Sequence, residues 1–197
     1  MDIDKIICEV EEDIKDQIAE VDSRCMRNSM RVLEAFQKNR IADVHFNSTT
    51  GYGYDDIGRD TIEKVFADIF HTEDALVRTQ FISGTHAITV ALFANLRPGD
   101  TLLSISGKPY DTLDSIIGFN DNKSSLKSYG IKYEQIDLIE DDFDIEKIKE
   151  RLSKKDVKMI EIQRSRGYAT RKSLSLDKIE RAIKAVREVN DEVIIMV

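Results

Sequence analysis

The chain has 197 residues, of which 41% are hydrophobic and 34% charged, and a net charge of −8. That balance excludes a disordered chain and argues against the phosphate backbone of nucleic acid as a main partner, while the length suits one domain or the larger part of a broken one. Cys8 and Cys25 stand in no metal-ligand spacing with His45, His71 and His86, so neither a zinc site nor a disulfide framework is expected. No apolar run approaches the length of a membrane span and the start lacks the parts of a signal peptide, which makes the expected location cytoplasmic, with no membrane partner.

Residues 1 to about 40 read as helix, with Ile7, Val10, Ile14, Ile18 and Val21 on one side and Glu11, Glu12, Asp13 and Asp16 largely on the other. A second helical piece follows, in which Met30, Leu33 and Phe36 share a face. Such helices pack either on their own domain or on a partner subunit. Residues 45–60 carry three glycines and no period, which predicts a long loop offering Tyr52, Tyr54 and Arg59; long loops serve a function or only cover the core. Asp60 or Thr61 is the expected cap of a helix whose Ile62, Val65, Phe66, Ile69 and Phe70 line one face.

Ala75 to Ile82 reads as a strand. It runs through Ser83-Gly84-Thr85 into a helix with Ile88, Ala91, Leu92 and Leu96 on one face, ended by Pro98-Gly99. Free amides at that helix start, with the positive end of the helix dipole behind them and no Cβ at Gly84, suit an anion such as a phosphate. The alternative is a simple N-cap and turn.

Strands are then expected at 100–105, 131–137, 157–162 and 192–197, with helices over 144–152 and around Ile179, Ala182, Ile183 and Val186. This alternation means an α/β protein with a mainly parallel sheet, whose ligands sit beyond the carboxyl ends of the strands, where the loops at Ser83, Lys108 and Gln163 fall. The last of these, 163–171, carries Arg164, Arg166 and Arg171, which as a charge run reads as a solvated basic turn or an anchor for acidic neighbours. Neither a dinucleotide fingerprint nor a P-loop is present, which leaves nucleotide binding weakly supported, and His86 reads as a structural residue of the helix start.

Four motifs in order, Gly51-Tyr-Gly-Tyr-Asp-Asp-Ile-Gly-Arg59, Ser83-Gly-Thr-His-Ala-Ile88, Pro109-Tyr-Asp-Thr-Leu113 and Gln163-Arg-Ser-Arg-Gly-Tyr168, resemble the methionine gamma-lyase family, whose members are also labelled aluminium resistance proteins. These belong to the Cys/Met-metabolism group of fold-type I enzymes dependent on pyridoxal 5'-phosphate (PLP). The resemblance runs from the first helix to Val197. It implies a fold-type I PLP-dependent transferase-like architecture, a mainly parallel sheet flanked by helices and preceded by N-terminal helices. Residues 1–45 would form a helical segment and residues 46–197 an incomplete PLP-binding domain.

The resemblance also implies roles. Gly84 and Thr85 would hold the cofactor phosphate and Tyr110 would stack on the pyridine. Tyr54 and Arg59 would reach the phosphate of an identical subunit, in a homodimer or homotetramer, although their spacing departs from the Tyr-x-Arg of better-known lyases. Gln163 would touch cofactor or substrate. The family's Schiff-base lysine, and the acid that partners the pyridine nitrogen, follow the last strand and find no counterpart before Val197. The expectation is therefore the N-terminal part of a PLP-dependent carbon–sulfur lyase acting on a sulfur-containing amino acid, inactive by itself. A catalytically silent binding or assembly module and another fold-type I enzyme, such as an aminotransferase, are the alternatives.

Overall fold

A computed structural model describes residues 2–197, which group into two compact units, one ending at Phe81 and the other running from Ile82 to Val197.

The first unit is helical. Asp2 caps α1 (Ile3–Asp13), and α2 (Lys15–Lys38) follows after a break at Ile14. The amphipathic pattern predicts these helices well. Their apolar stripe is nevertheless exposed, Ile3 at 66% and Val21 at 60%, and of the two helices only Ala35 is buried. The end of α2 is tied to α3 (Ile57–Phe70): Lys38 pairs with Asp68, and Asn39 Nδ2 donates to Asp68 Oδ2 at 2.7 Å. These bonds hold the Asp68 carboxyl below its ordinary value.

Two expectations are corrected here. The α3 cap is Asp56, whose Oδ1 accepts the Arg59 amide at 3.0 Å, so the helix starts earlier than Asp60 or Thr61 and takes Arg59 into its first turn. Residues 75–82 form no strand. The Val77 amide donates to Glu63 Oε1 at 2.9 Å, Arg78 pairs with Glu63, and the Phe81 amide closes a turn on the Arg78 carbonyl, so these groups bond to α3 and within the segment and not to a neighbouring strand.

The second unit is the α/β body. In chain order it contains α4 (Gly84–Asn95), β1 (Thr101–Ser104), α5 (Asp114–Ile117), β2 (Lys132–Gln135), α6 (Ile145–Leu152), β3 (Val157–Glu161), α7 (Leu176–Val189) and β4 (Ile194–Met196). The four strands are parallel in the order β2-β1-β3-β4, with Leu103 opposite Ile160 and Glu161 opposite Met196. Strand alternation divides the core. Leu103, Ile105, Ile160 and Ile162 pack with Ile148 and Leu152 of α6 and with Ile179, Ala182 and Val186 of α7. Leu102 and Met159 face the other way, onto Leu92 and Leu96 of α4. Burial on both faces explains why β1 is buried throughout, as parallel strands are.

One ion-pair cluster ties β2, α6 and the turn before β3 together. Arg151 grips Glu134 through Nε and Nη2 at 2.5 and 2.9 Å and reaches Asp156 Oδ1 at 2.5 Å. These bonds hold both carboxyls below their ordinary range. A depressed carboxyl contributes stability above its unfolded pKa and loses it as pH falls through the folded value. We therefore expect urea stability to fall as pH drops below about 4, and Arg151→Met to flatten that acid limb. An unchanged limb in the variant would assign the acid sensitivity elsewhere.

Candidate functional site

The short turn after α4 leads directly into β1, and Leu92 and Leu96 lay the helix back along the sheet, so the α4 N-terminus is directed to the carboxyl ends of the strands. Ser83 is the N-cap, its Oγ accepting the His86 amide at 3.1 Å while its carbonyl accepts that of Ala87. The cap reading therefore holds for Ser83. It leaves over the amides of Gly84 and Thr85, which have no partner among the described residues. Around Gly84 the space is open, since a Cβ built there would meet nothing within 4 Å. The Ile82 amide faces His86 Nδ1 at 3.4 Å, which places His86 in the structure of the helix start.

Beyond β1 and β3, two loops lock onto each other. The Tyr110 amide donates to Gln163 Oε1 at 2.6 Å, and the Gln163 amide donates to Ser106 Oγ at 2.8 Å. Gln163 Nε2 then bonds the Ser165 carbonyl at 3.1 Å. Arg171 closes this loop by donating to the carbonyls of Gln163, Ser165 and Lys172, so it acts as an internal strut of the expected basic turn. Arg164 and Arg166 are exposed.

The Tyr110 ring is held on one side by this loop. Tyr168 lies 5.5 Å away centroid to centroid, tilted by 34°. A hydrogen bond to the Tyr168 hydroxyl, with partial burial and the charge of Asp111, pushes the Tyr110 phenol up to about 12, so Tyr110 stays protonated at neutral pH. Gly167 makes the approach possible: its φ is +57°, and a Cβ there would stand 2.9 Å from Tyr110 Cδ2. Gly167→Ala should lower stability by about 2 kcal/mol through backbone strain and overpacking and weaken the near-ultraviolet dichroism of the tyrosine pair. An unshifted urea midpoint would contradict this packing.

The sequence-predicted residues thus fall into two groups. Gly84, Thr85, Tyr110 and Gln163 belong to one unit, and Tyr110 and Gln163 are bonded directly. Tyr54 and Arg59 belong to the other. Tyr54 is wholly exposed, and Arg59 Nη1 donates to the Gly53 carbonyl at 2.8 Å while its Nε pairs with Asp60 Oδ1 at 2.9 Å. Tyr168 and Gly167 were visible as parts of a motif, but their contact with Tyr110 was not. Among the described residues no group of three His, Cys, Asp or Glu could hold a metal ion, and no helix is long and apolar enough to cross a membrane.

The sequence matches the family model for methionine gamma-lyase over residues 3–197. The uncharacterized protein YnbB of Bacillus subtilis is 47% identical over 98% of this chain and 46% of its own length. A structure from Listeria innocua, named as a candidate cystathionine beta-lyase involved in aluminum resistance, superposes with a TM-score of 0.93 at 46% identity, over 99% of this chain and 48% of that one. A carbon–sulfur lyase involved in aluminum resistance from Clostridium novyi NT gives a TM-score of 0.90 at 42% identity, over 97% and 46%. The chain spans just under half the length of these relatives. With the family model matched over nearly all of its residues, the chain belongs to the methionine gamma-lyase family.

Proposed function

We propose that the protein is a fold-type I, PLP-dependent carbon–sulfur lyase that eliminates a thiol from a sulfur-containing amino acid, as methionine gamma-lyases and cystathionine beta-lyases do. The observation that carries this reading is the pair of unpartnered amides at Gly84 and Thr85, beside an open glycine at a helix N-terminus, in a chain of this family. The donor set fits the cofactor. Two amides and the helix dipole suit its dianionic phosphate, and an aromatic ring suits its pyridine. When bound, PLP supplies an electron sink for negative charge at the substrate Cα.

The residues of this chain bind and orient. The Gly84 and Thr85 amides hold the phosphate, and Tyr110 offers its ring to the pyridine and keeps the proton on its Oη. Gln163 fixes the Tyr110 backbone through its Oε1. Tyr54 and Arg59 serve the site of an identical subunit in a homodimer or homotetramer, a role that suits the full exposure of Tyr54. We place the enzyme in the cytoplasm, in keeping with its two free, exposed cysteines. The lysine and the acid that complete the chemistry are assigned to sequence beyond Val197, and residues 1–197 alone are expected to be inactive.

The test is an assay of the protein expressed from its full reading frame, supplied with PLP and a panel of methionine, cystathionine and cysteine. Release of thiol, ammonia and 2-oxo acid in equal amounts is the expected result. Amino-group transfer without thiol release would favour an aminotransferase, and no turnover would favour the silent module.

A further inference from the structure

Glu161 takes no part in the site described so far, yet it is a carboxyl only 6% exposed at the carboxyl end of β3, where β1 and β4 flank it. Ser104, its neighbour on β1, is fully buried. Ser104 Oγ lies 2.7 Å from Glu161 Oε2 and 2.6 Å from the Gly107 carbonyl oxygen. Both are O–H···O hydrogen-bond distances, and the hydroxyl has one proton for two acceptors.

Were Glu161 ionised, one of these contacts would press two lone pairs together between two buried side chains. With a proton on Oε2 both are satisfied, Glu161 donating to Ser104 and Ser104 to Gly107. The Tyr133 hydroxyl bonds to Gln135 Oε1 at 3.0 Å and also approaches Ser104, but a proton given to Ser104 Oγ still leaves one Ser104 proton for the two acceptors. The charged and titratable groups that face Glu161 are Tyr133 from β2 and Arg171 from the loop after β3. Arg171 favours the carboxylate, but burial outweighs it and the Ser104 hydroxyl and raises the Glu161 pKa.

The Gly107 carbonyl is where this chain of protons meets the site. Gly107 turns at φ +83° with its amide on the Ile136 carbonyl at 3.0 Å, and the turn it opens carries Tyr110. We infer that Glu161 is held as a neutral carboxylic acid that, through Ser104 and the Gly107 carbonyl, positions the turn bearing Tyr110. Its value to a bound cofactor rests on the proposed function, whereas the proton chain itself does not.

The test uses the protein from its full reading frame without cofactor, so that its outcome stands apart from the lyase reading. Infrared spectra at neutral pH, with glutamate labelled with carbon-13, should contain a protonated-carboxyl stretch that Glu161→Gln removes. Tyrosinate absorbance, with Tyr110→Phe identifying the signal, should show Tyr110 ionising about one pH unit lower in Ser104→Ala, which cuts the chain of bonds. Glu161→Gln, whose amide still donates to Ser104, should leave that titration in place. Absence of the neutral-carboxyl band would overturn the inference, as would a Ser104→Ala titration that matches the parent.

Discussion

Gly84→Asp is expected to leave the fold intact and to weaken PLP binding by about 100-fold, so that the variant purifies without cofactor. The fold survives because a Cβ at this position meets nothing within 4 Å and the backbone there lies outside the left-handed region. A carboxylate in the first turn also suits the helix dipole. The same carboxylate would stand against the amides assigned to the phosphate and repel a dianion. Gly84→Ala is the control, since it adds a methyl group into open space, leaves the amides available and should keep its cofactor. Retention of PLP by the aspartate variant would move the phosphate elsewhere.

The second large effect is on stability. Ile160→Ala should cost about 3 kcal/mol, read as a lowered urea midpoint with an unchanged slope. Ile160 is fully buried in the central region of the sheet, on β3 opposite Leu103, within the core that α6 and α7 close. Truncation leaves a cavity that close-packed neighbours fill only in part. Ile139, 57% exposed, is the comparison: Ile139→Ala should stay within about 0.5 kcal/mol of the parent. Equal effects at the two positions would mean that the sheet is not the packed centre of this unit.

What was legible in the sequence follows from period and burial. The helices α6 and α7 and the strands β1 and β3 lie where apolar spacing places them, because each buries residues that its own pattern defines, while β2 and β4 fall within their expected spans with their side chains only partly covered. The segment 75–82 has the composition of a strand without the partner that makes one: Leu76 is 62% and Ile82 84% exposed. The start of α3 was hidden because Gly58 in its first turn looks like loop, while the deciding feature is the Asp56 side chain turning back onto the Arg59 amide.

Of the candidate site, the free amides at Gly84 and Thr85 follow from local helix-end chemistry and could be read directly. The bond from Tyr110 to Gln163 joins residues 53 apart and needs the sheet to bring their loops together. Glu161 was hidden for the same reason. A charged residue ending a strand reads as solvent-facing, and only the neighbours on both sides in a parallel sheet bury it.

The protein made from the full reading frame is expected to hold PLP, and an absorbance spectrum reads this. The protein is mixed with excess PLP, the unbound cofactor is removed by gel filtration, and the visible spectrum is recorded before and after borohydride. A retained yellow band that borohydride bleaches is the predicted result. A protein that emerges colourless from excess PLP would rule out a PLP enzyme.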